Sequence, residues 1–353
     1  MFLLMAVLAC GDKGGDDTGD GGADGGAADG GAADGGTADG GTADGGTDGG
    51  GGDGGASFTA PERVGEISGV TAWDVALLDR VALVAADNDG LLIYDLADPS
   101  APVFLASVPV GQATSVSVTG LIAWVGTWSG RLVAVDLTDP ALPDWRSDLS
   151  LAPHAVGVDA RGDTVAVASW SGTTGSDPGW GLTLVDGADP EDPDQLSNLP
   201  TPGTALDVRL GDGVAWIADG PHGLQPVDST SLSAPTLGDP IDVGGDALGV
   251  DLSTDAVVVA AGEAGLVLVD PGSHAVLGTL VALDGEAEGV TVEGVQAWVA
   301  TGTGGLAVVD LSNPADPTLL FEEAVGGTAL RVGLSAELGA VAADVGGVVI
   351  FER

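Results

Sequence analysis

The chain of 353 residues contains 61 glycines, and its hydrophobic residues make up 44%. So much glycine argues against a mainly helical protein, because glycine destabilises helix interiors. The 53 aspartates and glutamates against 9 lysines and arginines give a formal net charge of −44, and long-range repulsion therefore opposes binding to nucleic acid or to anionic lipid through a basic surface.

Residues 1–10 form a short apolar run that ends at Cys10, the single cysteine. The run is too short to span a bilayer, and a small residue precedes the cysteine, which is typical of a processing signal. Val7-Leu8-Ala9-Cys10 resembles the bacterial lipobox, whose cysteine receives a diacylglycerol group and becomes the mature N-terminus. The resemblance implies an exported protein that is lipid-anchored in the cell envelope, at the outer membrane or the cell surface. No lysine or arginine precedes the run, so the basic region expected at the start of such a signal is missing. An ordinary signal peptide and a buried apolar end are the alternatives.

Residues 11–56 repeat a five-residue unit such as Ala-Asp-Gly-Gly-Thr. The segment has almost no apolar surface to offset the entropy of ordering, so we expect a disordered linker. A glycine-rich linker of about 45 residues has a root-mean-square reach of roughly 35–40 Å, which is enough to hold a folded domain away from a lipid surface. The folded domain is predicted to begin at residue 57 and to end at residue 353.

From residue 57 onward the chain repeats itself with a period of about 42 residues. Seven alanines mark the repeat, and a valine stands three residues after each of them. These marker alanines are Ala72, Ala113, Ala155, Ala205, Ala247, Ala287 and Ala329. The third unit carries an insertion within the stretch from Trp170 to Gly181, between its second and third apolar runs.

Each unit contains short runs rich in β-branched residues, separated by glycine, aspartate and proline, and these patterns predict strands and turns. Four strands per period of this length fit the blades of a β-propeller, whereas helical solenoids would need an apolar rhythm of 3.6 residues. The seventh unit stops before its fourth strand, while a spare strand is predicted around Arg63–Ile67. We therefore expect an all-β, seven-bladed propeller that closes by pairing the two ends of the domain, which also protects the strand edges.

Four of the third strands carry a recognisable motif: Gly90–Asp95, Gly181–Asp186, Gly265–Asp270 and Gly305–Asp310, which read GLLIYD, GLTLVD, GLVLVD and GLAVVD. This motif resembles the LVIVD repeat of prokaryotic cell-surface proteins, and the likeness covers about residues 57–353. The resemblance implies an extracytoplasmic propeller of generally unassigned function, and it supplies no catalytic residues.

A polar residue stands immediately before each marker alanine. In a propeller the innermost strand begins near the central channel, so these side chains are predicted to form a ring at one mouth of the channel, which is a common pocket of this architecture. The alternative is that they end a turn and face water. The seven residues are Thr71, Gln112, His154, Thr204, Asp246, Glu286 and Thr328.

The connections between second and third strands should open on the same face. They include Trp128, Asp219 and His222, and the insertion adds Trp170 and Trp180. Exposed aromatic rings beside carboxylates suit stacking against sugars or anchoring of a protein partner, although packing in the interior is the alternative. Three other tryptophans share one repeat position, which indicates a place in the core: Trp124, Trp216 and Trp298.

The sequence carries no H-E-x-x-H, G-x-S-x-G or P-loop motif, and its histidines fall at different repeat positions. Catalysis and a histidine metal site are therefore not indicated. Asp87 and Asp89 belong to a segment that resembles part of a calcium loop, but alanine occupies the place of the first ligand, and an Asx turn is the simpler interpretation. No cofactor is expected apart from this weak calcium candidate.

We therefore expect a non-enzymatic binding or scaffolding module of the bacterial cell envelope, monomeric, with an envelope protein or glycan bound at the channel mouth. One alternative is a hydrolase or lyase acting on envelope glycans, with Asp246, Glu286 and His154 as acid and base candidates. The other alternative is a structural component of a surface layer.

Overall fold

The computed structural model describes residues 58–151, 154–170 and 181–353. Cys10, the linker of residues 11–56 and Trp180 lie outside these residues, so what was predicted for them stays a prediction. The strands described below all belong to the compact unit Thr59–Arg353.

The repeating unit of the structure is an antiparallel sheet of four strands, and the described residues form seven such sheets and no helix. Accordingly, the described residues contain no helix of the length and hydropathy that crossing a bilayer requires. The first strands of successive sheets contact each other around the ring, so they are the innermost strands and line a central channel. The prediction of a seven-bladed propeller is confirmed.

The strands run in chain order through the blades. Blade 1 comprises β2 (Asp74–Leu78), β3 (Val81–Ala85), β4 (Leu91–Asp95) and β5 (Val103–Val108). Blade 2 comprises β6 (Ala113–Thr119), β7 (Ile122–Thr127), β8 (Arg131–Asp136) and β9 (Asp144–Ser150). Blade 3 comprises β10 (Ala155–Arg161), β11 (Thr164–Ser169), β12 (Gly181–Asp186) and β13 (Asp194–Pro200). Blade 4 comprises β14 (Asp207–Leu210), β15 (Val214–Ala218), β16 (Leu224–Asp228) and β17 (Thr236–Leu237). Blade 5 comprises β18 (Gly249–Leu252), β19 (Val257–Ala260), β20 (Leu266–Val269) and β21 (Val276–Leu280). Blade 6 comprises β22 (Gly289–Glu293), β23 (Gln296–Ala300), β24 (Leu306–Asp310) and β25 (Thr318–Glu323). Blade 7 comprises β26 (Arg331–Leu334), β27 (Leu338–Ala342), β28 (Val348–Glu352) and β1 (Glu62–Ile67).

The ring closes through the N-terminal strand, as the sequence predicted. Strand β1 pairs antiparallel with β28, and Ile67 stands opposite Val348. Ile67 is buried, with 4% of its surface exposed. A salt bridge between Arg80 and Glu337 joins blade 7 to blade 1. The two ends of the domain therefore hold each other in place.

The marker alanines are all fully or almost fully buried. Main-chain bridges explain why the marker position holds a small residue. The alanine of one blade pairs with the turn of the preceding blade, as Ala287 does with Gly262 and Ala329 with Gly302. The innermost strands also approach each other closely, since a Cβ added to Gly289 would lie 2.4 Å from the carbonyl oxygen of Leu330. Small residues at these positions allow neighbouring blades to touch.

The aspartate that ends the LVIVD motif has a structural role. In blade 6 the Asp310 carboxylate accepts a hydrogen bond of 2.8 Å from the main-chain N–H of Ser312, two residues on. Five other blades repeat this Asx turn, with acceptors Asp95, Asp136, Asp186, Asp228 and Asp270. Such a side chain satisfies the first N–H after the strand and fixes the direction of the loop. The repeat motif therefore encodes both a strand and the turn that follows it.

Blade 4 departs from the others in its outer strand, β17, which has two residues. Pro226 lies in the neighbouring strand β16 and has no N–H to donate to a ladder. The side chain of Gln225 donates instead to the carbonyl oxygen of Gly238, at 2.8 Å. A side chain thus replaces part of the missing ladder.

Candidate functional site

One face of the propeller gathers both predicted sets of site residues. The turn between the second and third strands of a blade meets the start of the next innermost strand, as the bridges from Asp87 to Ala113 and from Gly220 to Ala247 show. We call this face the upper face. The polar residues before the marker alanines and the second-to-third-strand turns therefore lie on the same side of the ring, as expected.

Four rings pack together on the upper face over blades 1 to 3. The centroid of the Trp128 ring lies 4.0 Å from that of His154, 5.8 Å from that of Trp170 and 6.1 Å from that of Trp73. Trp73 is buried, whereas the other three residues are partly exposed. We call these four residues the aromatic cluster. The remaining predicted tryptophan, Trp180, lies outside the described residues.

His154 is held at the centre of this cluster by its own main chain and by that of Trp128. Its backbone is left-handed, with φ of 60°, and its Nδ1 lies 2.6 Å from the carbonyl oxygen of Trp128. Because a carbonyl oxygen only accepts, Nδ1 carries a proton, and in the neutral ring Nε2 is then the acceptor. Trp170 in turn donates its main-chain N–H to the carbonyl oxygen of His154, at 3.0 Å. The cluster therefore contains a ring nitrogen that is able to accept a hydrogen bond.

Gln112 fixes the turn of blade 1. Its amide donates to the Asp87 carboxylate at 3.1 Å, and Asn88 donates to the other oxygen of that carboxylate at 2.7 Å. The turn itself is closed by a main-chain hydrogen bond from Asp89 to Ala86, at 2.8 Å, rather than by an Asx bond. Within the described residues there is no group of three or more His, Cys, Asp or Glu side chains arranged to hold a metal ion.

Asp219 is fully buried and does not present its carboxylate to the surface. It accepts hydrogen bonds from the Thr201 hydroxyl at 2.6 Å and from the Gly203 N–H at 2.8 Å. Burial raises the pKa of Asp219 to about 6, although these two hydrogen bonds act in the opposite direction. The residue thus anchors the segment that enters blade 4, while His222 in the following turn is exposed.

Asp246 and Glu286 lie on the upper face, half-buried and exposed respectively. Partial burial raises the pKa of Asp246, and the nearby Glu263 adds to the shift. Among the described residues, no hydrogen bond or ion pair joins Asp246, Glu286 and His154. The acid and base set that the enzyme alternative requires is therefore not assembled by direct contacts.

The channel holds a second group of polar residues, which the sequence analysis missed. The carboxylate of an innermost strand accepts a main-chain N–H from the next innermost strand, as Asp207 does from Val250 at 3.1 Å. The same contact recurs in the pairs Asp74 with Val116, Asp159 with Leu210, and Asp251 with Val292. In blade 2 the Ser117 hydroxyl accepts the main-chain N–H of Ala160 in the same way. These side chains bond N–H groups on strand edges that no sheet ladder satisfies. Polar residues two and four positions after the marker alanine, on either side of the buried valine, are the signal that could have revealed them.

Arg209, which is partly exposed, adds an ion network with two buried carboxylates to these contacts. Its guanidinium lies 3.0 Å from a carboxylate oxygen of Asp159 and 3.0 Å from one of Asp251. Burial raises the pKa of Asp251, and the charge of Arg209 opposes that shift. The network joins blades 3, 4 and 5 at the channel wall.

Two cavities lie along the channel wall. One, of about 190 Å³, is lined by residues of six blades, including Asp74, Ser115, Asp207 and Arg331. The other, of about 400 Å³, lies at the ends of the innermost strands of blades 3 to 5 and includes Arg161 and Asp212. The larger one is at the mouth opposite the upper face.

Comparison with known proteins supports the repeat and the fold. The family described as LVIVD repeat matches residues 69–109, 110–146 and 284–323. No curated protein matches the chain. Among solved structures, the WD40 repeats of RRP9 superpose with a TM-score of 0.66 at 10% identity, covering 83% of this chain and 99% of that one.

Two further structures give the same result. A chain of the Mitotic Checkpoint Complex has a TM-score of 0.65 at 16% identity, covering 84% of this chain and 94% of that one. Sqt1 of Saccharomyces cerevisiae has a TM-score of 0.60 at 12% identity, covering 84% of this chain and all of that one (100%). Identities this low establish a shared fold and nothing about function. The propeller fold and its LVIVD repeats together suggest a binding or scaffolding module.

Proposed function

We propose that this LVIVD-repeat propeller is a non-enzymatic binding module of the bacterial cell envelope, tethered through Cys10, that holds a protein partner on its upper face. The aromatic cluster carries the proposal. Tryptophan is enriched among the residues that dominate the free energy of protein interfaces, because a large ring buries much area at little conformational cost. Trp128 and Trp170 keep part of their rings exposed while their neighbours fix their positions.

The charge of the upper face favours a partner with basic side chains. Glu263 lies close enough to Asp246 to raise the pKa of the Asp246 carboxyl group. Glu286 raises the pKa of Glu288 in the same way. For both Asp246 and Glu288, burial is the larger cause of the raised pKa. A lysine or arginine from a partner relieves this repulsion and, at low salt, speeds the encounter.

The test compares variants of the soluble domain, residues 57–353, in capture from envelope extracts of a related bacterium. The double variant Trp128→Ala/Trp170→Ala should lose the captured partner. Phe104→Ala is the matched control, because Phe104 is an aromatic residue with 53% of its surface exposed on the outer strand of blade 1. Circular dichroism and melting curves verify that both variants fold.

Three results would contradict the proposal. One is a set of captured proteins that the double variant leaves unchanged. Another is equal loss in the Phe104 control. The third is capture that purified envelope glycan abolishes, since that would assign the aromatic cluster to sugar stacking.

A further inference from the structure

Nearly all arginines of this acidic chain form ion pairs with carboxylates. Seven of the eight lie in ion pairs with carboxylates: Arg63, Arg80, Arg131, Arg146, Arg161, Arg209 and Arg353. Arg331 is the exception among the described residues, although acidic side chains outnumber basic ones about sixfold. It lines the 190 Å³ cavity in the channel.

The hydrogen bonds of Arg331 occupy one end of its guanidinium. Nη1 donates to the carbonyl oxygens of Glu288 at 3.1 Å and of Leu330 at 3.0 Å. Nη2 makes a single long contact of 3.5 Å with the carbonyl oxygen of Leu248. Nε has no partner among the described residues, so the edge formed by Nε and Nη2 keeps most of its donor capacity. This is an edge with which arginine grips a carboxylate through two parallel hydrogen bonds.

Two carboxylates line the same cavity. Each oxygen of Asp74 and of Asp207 accepts one main-chain N–H, which leaves further lone pairs for another donor. Burial raises the pKa of Asp74 to about 6, Arg331 lowers it, and Asp207 raises it. Asp74 therefore interacts electrostatically with both Arg331 and Asp207, and neither carboxylate forms an ion pair with Arg331 among the described residues.

Ser115 is also among the residues around this cavity, although its hydroxyl oxygen is buried beneath the cavity wall. Ser115 has 3% of its surface exposed, and its Oγ has no hydrogen-bond partner among the described residues. Buried polar atoms in native proteins are nearly always hydrogen-bonded. An arginine edge with spare donor capacity and two carboxylates with spare lone pairs thus line one space.

We propose that the channel cavity binds a small zwitterion of the size of an amino acid, whose carboxylate lies on the Nε and Nη2 edge of Arg331 and whose ammonium group lies near Asp74 and Asp207. A volume of about 190 Å³ holds about six non-hydrogen atoms, since a water molecule occupies about 30 Å³. Such a ligand brings one charge of each sign to a site that already separates the two. This site is distinct from the aromatic cluster, and the proposal does not depend on the function proposed above.

The test measures binding of L-alanine to the soluble domain by calorimetry, beside propionate and ethylammonium, which each carry one half of the zwitterion. L-Alanine should bind at least about tenfold more tightly than either half, because it makes both charge-assisted contacts. Arg331→Gln and Asp74→Asn should each weaken its binding about tenfold or more. Arg161→Gln, which breaks an ion pair with Asp212 at the other cavity, is the control and should leave binding unchanged.

Several outcomes overturn the proposal. They are no binding of L-alanine at 100 mM, binding of propionate or ethylammonium as tight as that of L-alanine, or equal weakening by Arg161→Gln. Should Arg331→Gln fail to fold, Arg331→Lys keeps the charge but loses the two-pronged edge, and it should also lose affinity. The ligand-free melting temperature of each variant separates lost binding from lost structure.

Discussion

The carboxylate of Asp74 in blade 1 accepts a hydrogen bond of 2.9 Å from the main-chain N–H of Val116 in blade 2. The innermost strands form no ladder with each other, so side chains supply the polar bonds between neighbouring blades. Asp207 and Asp251 repeat the contact farther round the ring. Part of the acidity of this chain is therefore structural.

Replacing Arg209 by methionine should destabilise the domain by about 3–5 kcal/mol, because it leaves two buried carboxylates without their partner. Urea unfolding measures the change. Arg161→Met is the matched control, since its partner Asp212 is almost fully exposed, and we expect a loss of at most about 1 kcal/mol. Equal losses in the two variants would refute a special role for the Arg209 network.

Stability should fall as the pH rises from about 4 to about 7. The pKa values of Asp74 and Asp219 are raised from 3.8 to about 6 in the fold, so the folded state binds their protons more tightly than the unfolded state does. That stabilisation is complete below pH 3.8 and is lost as the pH passes through about 6, at up to about 3 kcal/mol for each group. Unfolding free energies measured across this range should flatten in the double variant Asp74→Asn/Asp219→Asn. A double variant with the slope of the wild type would contradict the assignment.

Deleting residues 57–67 should open the ring. The deletion removes β1, exposes the edge of β28 and takes away the buried Ile67, whose side chain alone contributes about 2–5 kcal/mol. We expect a melting temperature at least about 5 °C lower, together with self-association through the exposed edge. Deleting residues 20–40 of the linker is the control and should leave melting unchanged. Identical melting of both deletions would argue against closure by β1.

The aspartate of the LVIVD motif should be replaceable by asparagine but not by alanine. Asp310→Ala removes the acceptor for the Ser312 N–H and should cost about 1 kcal/mol. Asp310→Asn keeps an oxygen in the same place and should recover most of that loss. If both variants are equally unstable, the charge rather than the turn explains the residue.

Replacing Cys10 by alanine should release the protein from the membrane fraction. The expectation follows from the lipobox-like segment that ends at Cys10, since an acylated cysteine anchors by burying hydrocarbon chains. Phase partitioning in detergent measures the change in cells that express the full chain. A variant that partitions like the wild type would show that the anchor does not depend on this thiol.

The architecture could be predicted to a large extent from local patterns. The spacing of the marker alanines gave the number of blades, and the missing fourth strand of the last unit identified β1 as its replacement. The interior positions of Trp124, Trp216 and Trp298 also followed from their common repeat position, and all three are buried. Each of these features depends only on the sequence of a single strand or a single repeat.

The candidate sites were predicted less completely. Position in the repeat placed His154 and Trp128 on one face, but it could not show that their rings stack or that Trp73 joins them. Asp219 has the same kind of turn sequence as exposed residues, yet neighbouring segments bury it. Burial depends on what packs from other blades, which the turn itself does not specify.

By itself the sequence determined the fold, because strand length, alternation and turn chemistry are local and recur seven times. Only the tertiary structure decided which polar side chains meet. Asp74, Asp207 and Arg331 are more than one hundred residues apart in the chain and line one cavity. Their meeting follows from the closure of the ring, which brings the innermost strands of distant repeats to a common axis where the distances between side chains depend on the packing of every blade.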